Sequence, residues 1–186
     1  MTVKSSMYAQ LALHVYKTNA ANTLSLSGWR MDGDRVIDEA SDFIGAVYTN
    51  GTEVVIAFSG TDNPKLDTVH ANLPLARGVY SQQLEKAVVL YFAAREKYPD
   101  THISFTGHSL GGGLASLMAV LFDKHAEVFD STPFENSAYA QLAMTRLHQH
   151  MVNTGYKYLD TFYAEYWERL NTAYSGFDGN GTFASY

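Results

Sequence analysis

Gly107, Ser109 and Gly111 stand two residues apart in the run Gly107-His108-Ser109-Leu110-Gly111-Gly112. A serine hydroxyl is a poor nucleophile unless it is exposed, aligned to a base and faced by donors for the developing oxyanion. A sharp turn from strand to helix meets the first and third needs together. The serine in such a turn takes a strained backbone conformation, so the residues two before and two after it must be small. Glycine occupies both places. A helix beginning at Leu110 aims its unbonded amides at the developing charge, which makes the Leu110 N–H the expected first oxyanion donor. Gly112 and Gly113 would let that helix lie close to the sheet. The chemistry that suits these residues is acyl transfer through a covalent serine ester.

The elements needed to hold such a turn can be read on either side of it. Ile103–Thr106 predicts a strand, and Leu110, Leu114, Leu117, Met118 and Leu121 follow helical spacing. Phe43–Tyr48 and Val54–Phe58 are β-branched and aromatic runs separated by Asn50-Gly51, a hairpin signal. The second run is apolar throughout, as expected of a strand buried on both faces. Leu84, Ala87, Val88, Tyr91 and Phe92 predict a helix that stops near Tyr98-Pro99. Met7, Leu11 and Val15, with Tyr8, predict an amphipathic helix over 5–17, and Leu24–Met31 a short strand. Ala126–Phe129 reads as a last short strand. Helices are expected over Tyr139–Met151 and Tyr156–Tyr174, followed by a loop or tail from Gly176. Alternating strands and helices around the serine imply a largely parallel α/β sheet with flanking helices.

The serine run, followed by Leu114-Ala115-Ser116-Leu117, resembles the class 3 lipase family of the α/β-hydrolase superfamily. A second match is Ala57-Phe58-Ser59-Gly60-Thr61, which resembles the family's strand-end motif. The family usually has arginine or a similar residue where Ser59 stands. The resemblance implies that Ser109 is the nucleophile, with the backbone N–H of Thr61, and its hydroxyl as a further donor, facing the Leu110 N–H across the oxyanion. It extends over roughly residues 40–135, ending at a strand and proline-containing loop through Pro133. In this stretch the chain is more similar to large bacterial lipase-like proteins than to compact fungal enzymes. What it implies is a serine carboxylic-ester hydrolase, lipase or phospholipase, acting on a lipid or other ester without a cofactor.

The catalytic acid and base are harder to find. The superfamily order is serine, acid, histidine, yet no histidine follows His150. His148 and His150 fall inside an expected helix, and His125 follows the serine helix too closely to return from the far side of the sheet. His108 is the variable position of the turn and should pack beside the strand. His14 and His102 read as helix-face and loop residues. His70 lies in the irregular stretch after Thr61, where it would line the site or simply face solvent. The expectation is therefore a truncated core: Ser109 at its turn, with no imidazole in reach, and the acid and histidine supplied by further chain or a partner.

Composition narrows the classes. The net charge of −6 includes no basic stripe that could track a phosphate backbone, so nucleic acid is not an expected partner. With no cysteine, disulfides, thiolate metal sites and a cysteine nucleophile are excluded. No run reaches membrane-spanning length and no secretory apolar segment opens the sequence. Cytoplasmic synthesis is the default expectation, with signal-independent export open. No histidine pair has metal-ligand spacing, and Asp178-Gly179-Asn180-Gly181 lacks the later acids of a calcium loop. The residues divide into a hydrolase core over 1–135 and an aromatic-rich helical segment over 136–186, a cap or a connection to further chain. Between Asp62 and Tyr80, Leu66, Val69, Leu73 and Leu75 fit a lid over the site or a surface loop anchored to the core. A noncatalytic module binding a partner or lipid remains the competing function, and acyl transfer to an acceptor other than water a third.

Overall fold

The computed structural model describes residues 3–16, 24–60, 82–132, 147–149 and 151–162. Helix α1 (Ser5–His14) precedes strands β1 (Arg30–Met31), β2 (Val36–Asp38), β3 (Phe43–Thr49) and β4 (Glu53–Phe58). Helix α2 (Gln82–Lys97), strand β5 (His102–His108), helix α3 (Leu110–Phe122), strand β6 (Ala126–Phe129) and helix α4 (Leu159–Phe162) follow. The sheet runs β1-β3-β4-β5-β6, with β2 also paired to β3. It is mixed: β4, β5 and β6 are parallel, while β3 is antiparallel to β4 and to both short strands. The hairpin expected at Asn50-Gly51 joins β3 to β4, with Gly51 at φ 94.

Alternation along β4 assigns its side chains to two layers. Val54, Ile56 and Phe58 face α2 and α3, in a core with Leu84, Tyr91, Phe105, Leu117 and Phe122. Val55 and Ala57 face α1, with Tyr8, Leu11, Val15, Ala46 and Tyr48. All five residues from Val54 to Phe58 are fully buried, as the uninterrupted apolar run required. Leu147 and Met151 join the first core, so part of the segment assigned to 136–186 packs directly on the α2 layer. The boundary expected near residue 135 lies outside the described residues, as do 139–146, 163–174 and the tail from Gly176.

Two expectations are corrected here. Within 24–31 only Arg30–Met31 is strand, because Ser27 and Gly28 turn the chain with positive φ. His102 is not a loop residue; it begins β5. Strand β2 had no apolar run to announce it.

Helix α1 is pinned at its end. The Arg35 guanidinium donates to the carbonyls of His14 at 2.6 Å and Val15 at 2.9 Å, placing a cation where the helix dipole is negative. His14 Nδ1 lies 3.0 Å from the Tyr48 hydroxyl. Burial, and then the Arg35 charge, hold the His14 imidazole below its ordinary 6.5. The unfolded chain therefore takes up that proton first, so stability is full above pH 6.5 and declines as pH falls toward the lowered folded value. Denaturation midpoints measured between pH 7.5 and about 5 should fall, and His14→Gln should flatten part of that slope.

Candidate active site

Strand β5 ends at His108 and α3 begins at Leu110, leaving Ser109 alone to make the turn. Its backbone sits at φ 55, ψ −125, a region costly for any residue with a Cβ. Surrounding contacts hold it there. Ser109 N–H donates to the Phe129 carbonyl at 3.0 Å, while the Ser109 carbonyl accepts from Gly112, Gly113 and Thr132 N–H at 3.0–3.1 Å. The loop after β6 thus clamps the turn from one side. The Ser109 hydroxyl does not cap the helix that follows.

The glycines act as the spacing required, with one refinement. A Cβ on Gly107 would lie 2.3 Å from the Gly111 backbone, and one on Gly111 would lie 2.2 Å from the Phe58 carbonyl oxygen. These two positions therefore bring β5, α3 and the end of β4 into backbone contact. Gly112 meets both Ser131 and, at 3.2 Å, the Gly107 carbonyl oxygen of β5, while Gly113 meets Thr132, so the pair admits the loop after β6 as well as the sheet.

The strand-end motif reaches the same place. Gly60 lies so near the turn that a Cβ there would be 2.9 Å from the His108 carbonyl oxygen and 3.2 Å from Ser109 Cβ. Leu110 is buried at the first position of α3, where helix geometry leaves its N–H without an intrahelical acceptor. Thr61 falls outside the described residues, but its neighbour Gly60 stands directly beside the serine.

A cleft of about 580 Å3 opens over Ser109, lined by Ala9, Ala12, Leu13, Tyr16, His108 and Phe129. Tyr16 ties its wall to the strand-end motif: Gly60 N–H donates to its hydroxyl at 2.8 Å, and His108 Nδ1 lies 3.3 Å from the same oxygen. His108 is exposed to the cleft rather than packed beside the strand. Sequence reading missed Tyr16 and the α1 wall. The available signal was a second stripe on α1 at positions 9, 12, 13 and 16.

Among the described residues no imidazole is bonded to the Ser109 hydroxyl. His108 turns to Tyr16, His14 to Tyr48, and the His125 ring packs 5.6 Å from that of Tyr8. His70 and His150 lie outside the described residues, as does the segment proposed as a lid. Among the described residues no three His, Asp or Glu side chains gather as a metal site, and no helix is long and apolar enough to cross a membrane.

A strained serine between a parallel strand and a helix, with a neighbouring strand end beside it, defines an α/β-hydrolase-type protein. The Tle-like phospholipase domain, a phospholipase-like family, matches residues 7–172. The chain belongs to that family, and the expected lipase-like group of the α/β-hydrolase superfamily is met. An extracellular phospholipase A1 from Serratia liquefaciens is 33% identical over 131 residues, covering 66% of this chain and 40% of the relative. The chain thus spans well under half of that enzyme's length. Among solved structures, lipase II from Rhizopus niveus is 18% identical with TM-score 0.46, over 68% of this chain and 60% of that one. A triacylglycerol lipase from Penicillium expansum is 18% identical with TM-score 0.41, over 69% and 61%.

Proposed function

We propose that this chain is the nucleophile-bearing domain of a serine carboxylic-ester hydrolase whose substrate is a lipid acyl ester, phospholipid foremost. The observation that carries the reading is Ser109 at φ 55, held by backbone bonds to the loop after β6. A noncatalytic module would have no use for that strain. Family membership and the phospholipase A1 relative support the choice of substrate class.

In this reading Ser109 Oγ attacks the ester carbonyl and gives its proton to a histidine. The oxyanion rests on the backbone amides of Leu110 and Thr61. Collapse of the tetrahedral intermediate breaks the ester C–O bond, and the alcohol leaves with the proton. Water, deprotonated by the same histidine, then releases the fatty acid. The histidine and its acid come from residues beyond those described or from a partner. The cysteine-free sequence suits synthesis in the cytosol and work on either side of a membrane.

Labelling with a fluorophosphonate tests this directly. The expected product is one phosphonyl adduct, mapped by peptide mass to Ser109, in the protein as it occurs naturally. Absence of an adduct under conditions that fully label a control lipase would reject the reading.

A further inference from the structure

Helix α1 has two apolar faces, and only one of them holds it to the sheet. Tyr8, Leu11 and Val15 are at most 2% exposed and pack among Ile44, Ala46, Tyr48, Val55 and Ala57. Ala9, Ala12, Leu13 and Tyr16 recur at i, i+3, i+4 and i+7, which places them along a second stripe. That stripe forms one wall of the cleft, and Ser109, His108 and Phe129 complete it. Leu13 is 54% exposed there, a large apolar side chain outside both core clusters. Alanine at 9 and 12 keeps the wall low where a larger side chain would fill the space.

The stripe has a direction. Tyr16 is at its serine end, because its hydroxyl is bonded to Gly60 N–H, and Gly60 abuts Ser109. Ala9 is two turns back, about 10 Å along the helix. An apolar trough of this length, starting at a nucleophile, fits a flexible hydrocarbon chain. Its volume of about 580 Å3 also lies in the range that small-molecule sites occupy.

We infer that this trough is the acyl-chain seat: the ester carbonyl sits at Ser109 and the methylenes run past Tyr16, Leu13, Ala12 and Ala9, opposite Phe129. The inference rests on the reading of Ser109 as nucleophile, and it makes α1 the element that sets chain-length preference. Ala9 limits the far end, and Leu13 supplies apolar contact without serving the core.

Two measurements separate this inference from the catalytic reading. In the first, a fluorescent long-chain fatty acid is bound to the Ser109→Ala protein and displaced by unlabelled saturated fatty acids of graded length. Affinity should rise up to about fourfold per added methylene, then level off once the trough is full. Ala9→Phe should move the plateau to shorter chains. Leu13→Asp, at an exposed position that spares the core, should weaken long-chain binding about tenfold or more with the melting temperature held. In the second, Ser109 of the otherwise unaltered protein is labelled with short-chain and long-chain alkyl fluorophosphonates. Long chains should react faster, and Ala9→Phe should reverse the order. Affinity without length dependence, or a length profile that neither α1 substitution changes, overturns the acyl seat whatever the labelling shows. Length-dependent binding with no labelling by either probe would sustain the seat and reject the nucleophile.

Discussion

Ser109→Ala should lower turnover of a phospholipid ester by about 10⁴-fold or more while leaving the melting temperature almost unchanged. The two halves of this result have different origins. Loss of the hydroxyl removes the only atom at the turn able to form the covalent ester, and binding plus oxyanion donors leave a small residual rate. The fold is spared because the elements that hold Ser109 bind its backbone: Phe129, Gly112, Gly113 and Thr132 all use main-chain groups. The hydroxyl caps nothing, so its removal does not release the helix. Alanine at φ 55 retains the strain of serine. Glycine does not, and Ser109→Gly should be equally inactive yet more stable by about 1 kcal/mol. Hydrolysis on the wild-type scale by either variant would exclude Ser109 as nucleophile. An equal melting temperature for glycine and alanine would contradict the strained turn.

Gly111→Ala should damage stability and chemistry together. Its Cβ would stand 2.2 Å from the Phe58 carbonyl oxygen and 2.6 Å from the Ser59 carbonyl group, so only movement of α3 away from β4 can relieve it. Such overpacking against backbone should cost about 3 kcal/mol, which for a chain of this size lowers the melting temperature by about 6–12 °C. In the proposed mechanism the same movement displaces the Leu110 amide from the oxyanion, and misplacement by 1 Å costs about 100-fold in rate. Gly112→Ala should be milder, since its contacts are looser, Ser131 Cβ at 2.8 Å, Ser131 Cα at 3.1 Å and the Gly107 carbonyl oxygen at 3.2 Å. Calorimetry and the labelling rate at Ser109 would measure both effects. Equal, small losses for the two variants would mean that α3 does not press on the end of β4.

The parts legible in the sequence are those whose causes are local. The turn at Ser109 needs small residues at fixed offsets, and the hairpin needs Asn50-Gly51, so each carries its own signature. Strand β4 was readable because burial on both faces leaves no polar position from Val54 to Phe58. The segment 24–31 misled because Leu24, Leu26 and Trp29 are apolar, yet the turn through Ser27 and Gly28 limits pairing to Arg30 and Met31. Strand β2 is only Val36–Asp38, and its apolar residues are 40% and 44% exposed, so edge pairing rather than burial creates it. Tyr16 was illegible for another reason. Its bond to Gly60 joins residues 44 apart, and nothing in either neighbourhood names the other. The stripe at 9, 12, 13 and 16 was readable as a second face of α1, but nothing in the helix alone says that Ser109 lies across from it.

The docking of α1 also fixes an order of assembly. The Tyr8 hydroxyl donates to Ser104 Oγ at 2.9 Å, a contact between residues 96 positions apart. A ribosome adding about 5–20 residues per second needs about 5–20 s to cover that interval. Throughout it the nascent helix lacks β5 and β6, and only the β3 and β4 part of its seat is available to it. The cleft over Ser109 cannot exist until that wait ends, because one wall is made about a hundred residues before the floor. Synthesis itself therefore delays the moment at which the apolar stripe of α1 and the Ser109 turn come together.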